Sequence, residues 1–185
     1  RSQAECISSD GLFRQVISKV SEAEDDEVGT CIHNIFAAYD PSRPREEILA
    51  IAERTIRRHG LQDVLPQPES IIGSEERLYK ILEEKYGKAT RIEHEFPFSE
   101  IIDGQTIVGS IDLVWFTSEN ECVLVDIKNR PGATRLVLKP DDRRFLGQYA
   151  PQLNAYRTAL ERGGLTVKDS IIYLAMQAEA IRITC

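Results

Sequence analysis

The sequence predicts an α/β domain in which a small mixed β-sheet is flanked by helices and the N-terminal half is helical. Two observations predict this class. Apolar residues recur at helical spacing through the first half of the chain, whereas β-branched and aromatic residues form short runs after Arg91. A further helical segment then precedes one or two last strands. This order of helices, strands, helix and strands is typical of a mixed sheet with helices packed against it.

The individual elements follow from periodicity and from stop signals. Pro44 suits the first helical position and acids follow it, so a helix is predicted from there to the stop at Gly60. The segment Leu61 to Glu69 contains two prolines and is predicted to be a loop. The other predicted helices are Leu12–Glu22, Val28–Ala38, one that buries Leu78, Ile81, Leu82 and Tyr86 and stops at Gly87, and Phe145–Glu161. The predicted strands are Ile92–Phe98, Gln105–Phe116, Cys122–Lys128, Ser170–Ala175 and Ala180–Thr184.

Length and charge limit the functional classes. The 185 residues suit one domain over residues 1–185, and because the chain starts with Arg1 we expect a domain excised from a larger protein. The net charge of -7 argues against a free-standing nucleic-acid-binding protein, which is usually basic. It does not argue against a nuclease site, since carboxylates that hold a divalent cation are themselves acidic.

The cysteines and the hydropathy pattern indicate the cellular compartment in which the protein is expected. No two of the four cysteines form a Cys-x-x-Cys pair, so a zinc knuckle or an iron–sulfur cluster is not expected. Free thiols in a reducing cytoplasm are favoured over a disulfide pair, and a cytoplasmic protein is therefore expected. No apolar run is long enough to span a bilayer, and none is typical of a signal peptide. The cysteines are Cys6, Cys31, Cys122 and Cys185.

Two predicted strands carry charged residues within apolar runs. Asp126 and Lys128 lie on the same face of the strand that ends at Lys128, and Asp112 lies in the strand before it. Burial of an unpaired charge costs on the order of several kcal/mol, so these charged residues are expected either to be solvated or to have a partner. One interpretation is a solvated strand end that carries a salt bridge; the other is a functional site.

The length of the turn decides whether the acids meet. If residues 117–121 form a loop of about five residues, Phe116 pairs with Cys122 and Asp112 falls opposite Asp126. Opposed side chains have Cβ atoms roughly 4.5–5.5 Å apart. A loop with an even number of residues and no bulge would instead place the acids on opposite faces.

Two carboxylates at one site favour a hard divalent cation such as Mg²⁺, or Mn²⁺. Such an ion can activate water and neutralise charge on a phosphate, and Lys128 beside it could stabilise the transition state. The following helix places Gln152 and Tyr156 four residues apart on one face, where both could donate to a phosphate. Ordinary polar residues on a helix surface are the alternative interpretation of this pair.

These motifs resemble the PD-(D/E)XK nuclease superfamily, and more narrowly the C-terminal nuclease domain of RecB and AddA, the helicase–nucleases of double-strand-break processing. The residues that carry the resemblance are Gly109-x-x-Asp112, a strand ending Asp126-x-Lys128, and Gln152-x-x-x-Tyr156 on a helix. An upstream Gly29-x-x-x-His33 matches a further motif of that family. Many members carry Tyr and Thr around the lysine, where this chain has Ile127 and Asn129.

The resemblance implies roles for these residues. It implies that His33, Asp112 and Asp126 ligate Mg²⁺ or Mn²⁺ with help from the Ile127 carbonyl, that Lys128 is catalytic, and that Gln152 and Tyr156 line the site. Without the resemblance, a single histidine on an apolar helix such as His33 is more often a core residue.

The most basic part of the chain follows the predicted catalytic strand. We expect these side chains to follow the DNA backbone, unless they form a solvated loop paired with Asp141 and Asp142. They are Arg130, Arg135, Lys139, Arg143 and Arg144.

The sequence therefore predicts a divalent-metal-dependent deoxyribonuclease, the nuclease domain of an ATP-dependent helicase–nuclease in DNA repair and recombination. The expected partners are DNA with single-stranded ends, the helicase domains of the same parent chain and a second helicase–nuclease subunit, with no membrane. One alternative is a degenerate nuclease fold that serves as a DNA-binding or scaffolding module. A stand-alone endonuclease of restriction type is a third, but it would need specificity elements that the sequence does not indicate.

Overall fold

The computed structural model describes residues 3–8, 16–129 and 145–184, without the side chain of residue 102. In this part of the chain a six-stranded sheet has the order β1-β6-β5-β4-β3-β2. Strands β4 and β5 are parallel and the other neighbours are antiparallel, so the sheet is mixed. The strands are β1 (Gln3–Cys6), β2 (Arg91–Ile102), β3 (Gln105–Phe116), β4 (Glu121–Lys128), β5 (Thr166–Leu174) and β6 (Glu179–Thr184).

Helices cover both faces of the sheet. The first three pack with one face, where Leu113, Val125 and Tyr173 are fully buried. The fourth packs with the other face, where Val114 and Leu124 are fully buried. Since neighbouring residues of a strand point to opposite faces, β4, the second half of β3 and the second half of β5 are buried on both sides and form the centre of the described structure. The helices are α1 (Asp25–Ala37), α2 (Arg45–Arg58), α3 (Pro68–Tyr86) and α4 (Ala150–Arg162). The predicted α/β fold class is confirmed.

The segment before α1 differs from the prediction. A helix is predicted over Leu12–Glu22, but residues 16–22 are not helical. The amide of Val16 donates to the Met176 carbonyl at 2.7 Å, and the amide of Val20 donates to the Val64 carbonyl at 3.0 Å. Long-range contacts have replaced the helical hydrogen bonds here, and Ile17 is buried as an anchor of this segment. The helix prediction is wrong for residues 16–22, and residues 12–15 lie outside the described part.

Two further differences concern the ends of elements. The helix predicted over Phe145–Glu161 is interrupted by a turn at residues 148–149, and α4 begins at Ala150 with Pro151 in its first turn. Pro151 lacks an amide proton, so it suits the start of a helix and not its interior. Strand β1 is absent from the sequence-based prediction. None of the helices in the described residues is long and apolar enough to cross a membrane.

Candidate active site

The site lies where the backbone pairing of β3 with β4 ends. The pairing runs from Phe116 opposite Cys122, the predicted register, to Leu113 opposite Val125. The amide of Ile127 then donates to Asp112 Oδ2 at 2.6 Å. A carboxylate side chain has thus taken over the role of a backbone acceptor, and it lies between the two strands.

The two predicted acids are in contact. Continued by one residue, the observed register places Asp112 opposite Asp126, and hydrogen bonding between the two carboxyl groups raises the pKa of Asp126 and lowers that of Asp112. Asp126 is almost fully buried, with 3% of its side chain exposed, and Lys128 Nζ lies 3.0 Å from its Oδ2. Burial raises the pKa of Asp126 to about 7; Lys128 opposes the shift and the charge of Asp112 adds to it. Below that pH the pair of carboxyl groups therefore holds one proton in the absence of a cation, because burial and mutual repulsion disfavour two adjacent charges.

His33 approaches the same pair from α1. Its Nδ1 atom lies 3.5 Å from Asp112 Oδ1, and its ring also contacts the backbone of Ile127. Burial lowers the pKa of His33, but the hydrogen bond and charge of Asp112 outweigh burial, so the pKa is raised overall. Burial raises the pKa of Asp112, but His33 and the Ile127 amide outweigh it, so that pKa is lowered. The structure thus brings together the predicted residues His33, Asp112, Asp126 and Ile127.

Lys128 is surrounded by residues of α4 and of the turn before it. Its Nζ donates to Gln152 Oε1 at 3.3 Å, and Gln152 Nε2 donates to the Tyr156 hydroxyl at 2.7 Å. The ring of Tyr149 lies beneath the ammonium, 4.5 Å from Nζ to the centroid. Burial raises the pKa of Tyr156, and the charge of Asp126 adds to the shift, so Tyr156 stays protonated and can donate or accept. The predicted Gln152 and Tyr156 thus reach the site, Gln152 by direct contact and Tyr156 through it.

A pocket of about 500 Å³ opens beside these residues, lined by His33, Asp112, Lys128 and Glu95 among others. Glu95 has a positive φ of 49° and lies opposite Asp112 in the β2–β3 register, between the pairs His94–Leu113 and Phe96–Ile111, so the pairing of the two strands is interrupted there without a shift in register. Its Oε2 accepts a hydrogen bond from Ser110 Oγ at 2.6 Å. A left-handed conformation costs a non-glycine residue roughly 1–3 kcal/mol, and such strain clusters at functional sites.

Both glycines of the predicted motifs are explained by close packing. A Cβ at Gly109 would lie 2.7 Å from Phe98 Cε1, and the Phe98 ring packs edge-on against Tyr156 with centroids 4.8 Å apart. A Cβ at Gly29 would lie 3.1 Å from Asn129 Nδ2. Gly29 therefore lets α1 approach the end of β4, which places His33, four residues later, beside Asp112.

The donors suit a hard divalent cation, although they do not form a closed cage. Asp126 Oδ2 is buried and accepts no well-aligned hydrogen bond from any described residue, and the two carboxyl groups in contact would repel each other if both were ionised. In residues 3–8, 16–129 and 145–184, no three His, Cys, Asp or Glu side chains are grouped as a metal cluster. Mg²⁺ usually takes one or two carboxylates and keeps several waters, so a pair of aspartates with a carbonyl is an adequate donor set.

Two residues beside the site were missed by sequence reasoning. Tyr149 precedes Gln152 by three residues, and this spacing was a usable signal for a shared face. Glu95 carried no signal, because a left-handed backbone conformation within a strand cannot be read from residue order. The predicted DNA-binding residues Arg130, Arg135, Lys139, Arg143 and Arg144 lie outside the described residues.

One of three comparisons with known proteins identifies a matching family. The family model described as PD-(D/E)XK nuclease superfamily matches residues 8–183. Among solved structures, the one described as the crystal structure of SSO0001 matches with 16% identity and a TM-score of 0.32. That match covers 82% of this chain and 62% of the other, so the chain spans less than two thirds of its length. No curated protein matches the sequence significantly.

Proposed function

Because the chain belongs to the PD-(D/E)XK nuclease superfamily, whose members are usually nucleases, we propose that it is a divalent-metal-dependent deoxyribonuclease that hydrolyses phosphodiester bonds. One observation carries the proposal: Asp112 and Asp126 are in contact where the β3–β4 pairing ends, with Lys128 Nζ 3.0 Å from Asp126. An ion pair alone does not require a second buried carboxyl group, so a structural role accounts for only part of this arrangement.

The proposed cofactor is Mg²⁺ or Mn²⁺, held by Asp112 and Asp126 with the Ile127 carbonyl and His33. The bound ion would lower the pKa of water and neutralise charge on the phosphate. The hydrogen bond from the Ile127 amide fixes the Asp112 carboxylate, and the contact with Asp112 gives His33 a defined ring position. These contacts hold the donors in place before a substrate arrives, so little reorganisation is needed on binding.

Lys128 would stabilise the negative charge that develops on the phosphate in the transition state. Its side chain is only 20% exposed, and partial burial strengthens the interaction of the ammonium with an anion relative to a solvated lysine. Gln152 is oriented by its hydrogen bond to Tyr156, so its carbonyl end faces Lys128 and limits where the ammonium can lie. In this proposal Gln152 and Tyr156 orient the lysine and donate to the phosphate when it displaces these contacts.

The wider context is proposed from the order of the motifs. Gly29-x-x-x-His33, Asp112, Asp126-x-Lys128 and Gln152-x-x-x-Tyr156 follow one another as in the helicase–nucleases of the RecB and AddA kind. We therefore propose the nuclease domain of an ATP-dependent helicase–nuclease, acting on DNA with single-stranded ends during double-strand-break repair and recombination in the cytoplasm. Helicase domains of the same chain and a second helicase–nuclease subunit are the proposed partners.

The test combines cleavage with metal binding. Single- and double-stranded oligonucleotides are incubated with the purified chain in Mg²⁺, Mn²⁺ or EDTA, and Asp112→Asn and the exposed Asp63→Asn serve as the paired variants. We expect cleavage that EDTA abolishes, that Asp112→Asn loses and that Asp63→Asn keeps. Anomalous scattering from Mn²⁺-soaked crystals should place the ion at the two aspartates. Binding of DNA without cleavage in any metal would favour the alternative, a degenerate fold that acts as a DNA-binding or scaffolding module.

A further inference from the structure

A second pocket, which we call the arginine pocket, lies between α1 and the C-terminal half of α2. It has a volume of about 520 Å³ and is lined on its polar side by Asn34, Arg54, Thr55, Arg58 and His59. No carboxylate is among its described lining residues. This lining contrasts with the pocket beside Asp112, which is lined by Asp25, Asp26 and Glu95 in addition to the catalytic candidates.

The arginines of this pocket are exposed and unpaired. In the described part of the chain no ion pair or hydrogen bond engages the guanidinium of Arg54 or Arg58, whereas Arg43 pairs with Asp40 and Glu47, and Arg45 pairs with Glu76. A cation in the last turn of a helix stabilises its C-terminus, which explains Arg58 in part. Arg54 lies a full turn earlier, where this effect has faded, so helix stability does not account for it.

The arginine pocket is contiguous with the catalytic one. Asn34 lines both pockets and directly follows His33 in α1. Its Nδ2 atom lies 3.0 Å from His59 Nε2, so the residue that joins the two pockets is held to the end of α2. A ligand at Asp112 that extends along α1 past Asn34 therefore enters the pocket lined by Arg54 and Arg58.

We propose that the arginine pocket binds the phosphate backbone of the nucleic-acid strand that is cleaved at Asp112 and Lys128. This inference rests on the proposed function. The carboxylates of the catalytic pocket repel a polyanion, and the chain as a whole carries a net charge of -7, so affinity must come from a local group of free cations. Two arginines at positions i and i+4 face the same side and can each take one phosphate. Contacts of arginine with phosphate carry no sequence information, so the proposal predicts binding without sequence preference.

The test is DNA affinity as a function of salt. The double variant Arg54→Gln/Arg58→Gln is compared with Arg43→Gln/Arg45→Gln, which removes the same charge from the other end of α2. Fluorescence anisotropy is measured with a labelled oligo-dT in EDTA, where cleavage by a metal-dependent nuclease is off, at several salt concentrations from about 50 to 300 mM. Circular dichroism checks that both variants are folded.

We expect Arg54→Gln/Arg58→Gln to bind roughly tenfold more weakly at low salt and to lower the slope of log affinity against log salt by about 1.4, or about 0.7 for each lost phosphate contact. Arg43→Gln/Arg45→Gln should match the wild type. A folded Arg54→Gln/Arg58→Gln variant with unchanged affinity and slope would overturn the inference, as would an equal loss of affinity in both double variants.

The outcome also separates this inference from the proposed function. If either contradicting result came with metal-dependent cleavage by the wild type, the proposed nuclease function would stand without the arginine pocket. A specific loss of DNA affinity in a chain that cleaves nothing would support the pocket and contradict the nuclease.

Discussion

At the scale of single residues, the position of the Lys128 ammonium is the most constrained feature of the site. Asp126 lies 3.0 Å away, Gln152 accepts a hydrogen bond at 3.3 Å, and the Tyr149 ring lies 4.5 Å below. Asp126 lies on the same strand as Lys128, whereas Gln152 and Tyr149 belong to α4 and the turn before it, so the strand and the helix together hold the ammonium. A lysine that only solvated a strand end would keep its rotamer freedom, because ordering it costs roughly 1.5–2 kcal/mol.

The first prediction at this scale concerns Lys128. Lys128→Ala should lower the rate of phosphodiester hydrolysis roughly 10²–10³-fold, since it removes one donor to the transition state. Folding and Mn²⁺ affinity should change little, because Lys128 is not a proposed ligand of the ion and Asp126 can take up a proton when its ion-pair partner is removed. Lys168→Ala, which removes an exposed lysine paired with Glu121, is the matched control. A Lys128→Ala variant with more than about half of the wild-type rate would contradict the assignment.

A second prediction separates the ring of Tyr149 from its hydroxyl. A cation above an aromatic ring gains roughly 0.5–2 kcal/mol, so Tyr149→Leu should lower kcat about two- to thirty-fold and leave KM nearly unchanged. Tyr149→Phe keeps the ring and should retain most of the wild-type rate. Steady-state kinetics of the two variants decide the matter. An equal loss of kcat in Tyr149→Phe and Tyr149→Leu would assign the effect to the Tyr149 hydroxyl instead.

At the scale of elements, the hairpin β3–β4 and the helices on either side assemble the site by close packing. Gly109 lies under the Phe98 ring, which in turn packs against Tyr156 of α4, while Gly29 lies under Asn129 at the end of β4. The glycines of the two sequence motifs therefore act as contact points between elements. Their role is to let a neighbour approach, which fixes where the polar side chains a few residues later can lie.

The third prediction tests this packing. Gly109→Ala should destabilise the fold by about 1–3 kcal/mol, because its Cβ would lie 2.7 Å from Phe98 Cε1 and the ring must move. The matched control is Gly73→Ala, where nothing lies within 4 Å of the new Cβ in α3 and a gain of about 0.5–1 kcal/mol is expected. Urea denaturation measures both. The packing argument fails if Gly109→Ala is as stable as the wild type.

Sequence reasoning succeeded for elements whose information is local. The register of β3 with β4 follows from the number of residues in the loop, so the pairing of Phe116 with Cys122 was predictable and is confirmed. The bounds of β3 were also predictable, since Gln105–Phe116 is rich in β-branched and aromatic residues between polar turns. Because Asp112 and Asp126 lie on these two strands, their approximate relative position was predictable as well.

Sequence reasoning failed where contacts with distant parts of the chain determine the backbone conformation. Residues 16–22 have helical spacing, but their amides bond to Met176 and Val64 instead. Strand β1 has only four residues, and its partner β6 lies at the other end of the sequence. The positive φ of Glu95 and the position of the Tyr149 ring beneath Lys128 likewise depend on tertiary contacts, so no local pattern could predict them.

At the scale of the whole molecule, the buried carboxyl groups link folding to pH. Burial raises the pKa of Asp126 to about 7, so the folded state holds a proton that the unfolded chain has lost above about pH 4. The pKa of His33 is also raised, and its contribution to stability is lost as the pH rises through that pKa. The lowered pKa of Asp112 acts in a different window, where stability falls as the pH drops below about 4.

The fourth prediction follows from these signs. Without divalent cations, the free energy of unfolding should fall between pH 5 and pH 8. Asp126→Asn should remove the part of this fall that is due to the Asp126 carboxyl group. The free energy of unfolding of the variant at pH 8 should therefore exceed that of the wild type by an amount on the order of 1 kcal/mol or more. Urea denaturation in EDTA at both pH values tests it, with Asp63→Asn as the control for an exposed carboxylate. A wild type as stable at pH 8 as at pH 5 would contradict the linkage.

The pairing of β1 with β6 has a consequence for folding kinetics. Gln3 lies opposite Thr184, so this edge of the sheet closes a loop of nearly the whole chain, the most costly closure in the molecule. We expect β1 to dock late and to detach first, and its amides should lose protection in hydrogen exchange before those of β4 and β5. Each detachment uncovers the edge of β6, which carries the buried Ile181 and Ile183. An open apolar edge of this kind pairs with other chains, so aggregation of the native protein should begin there.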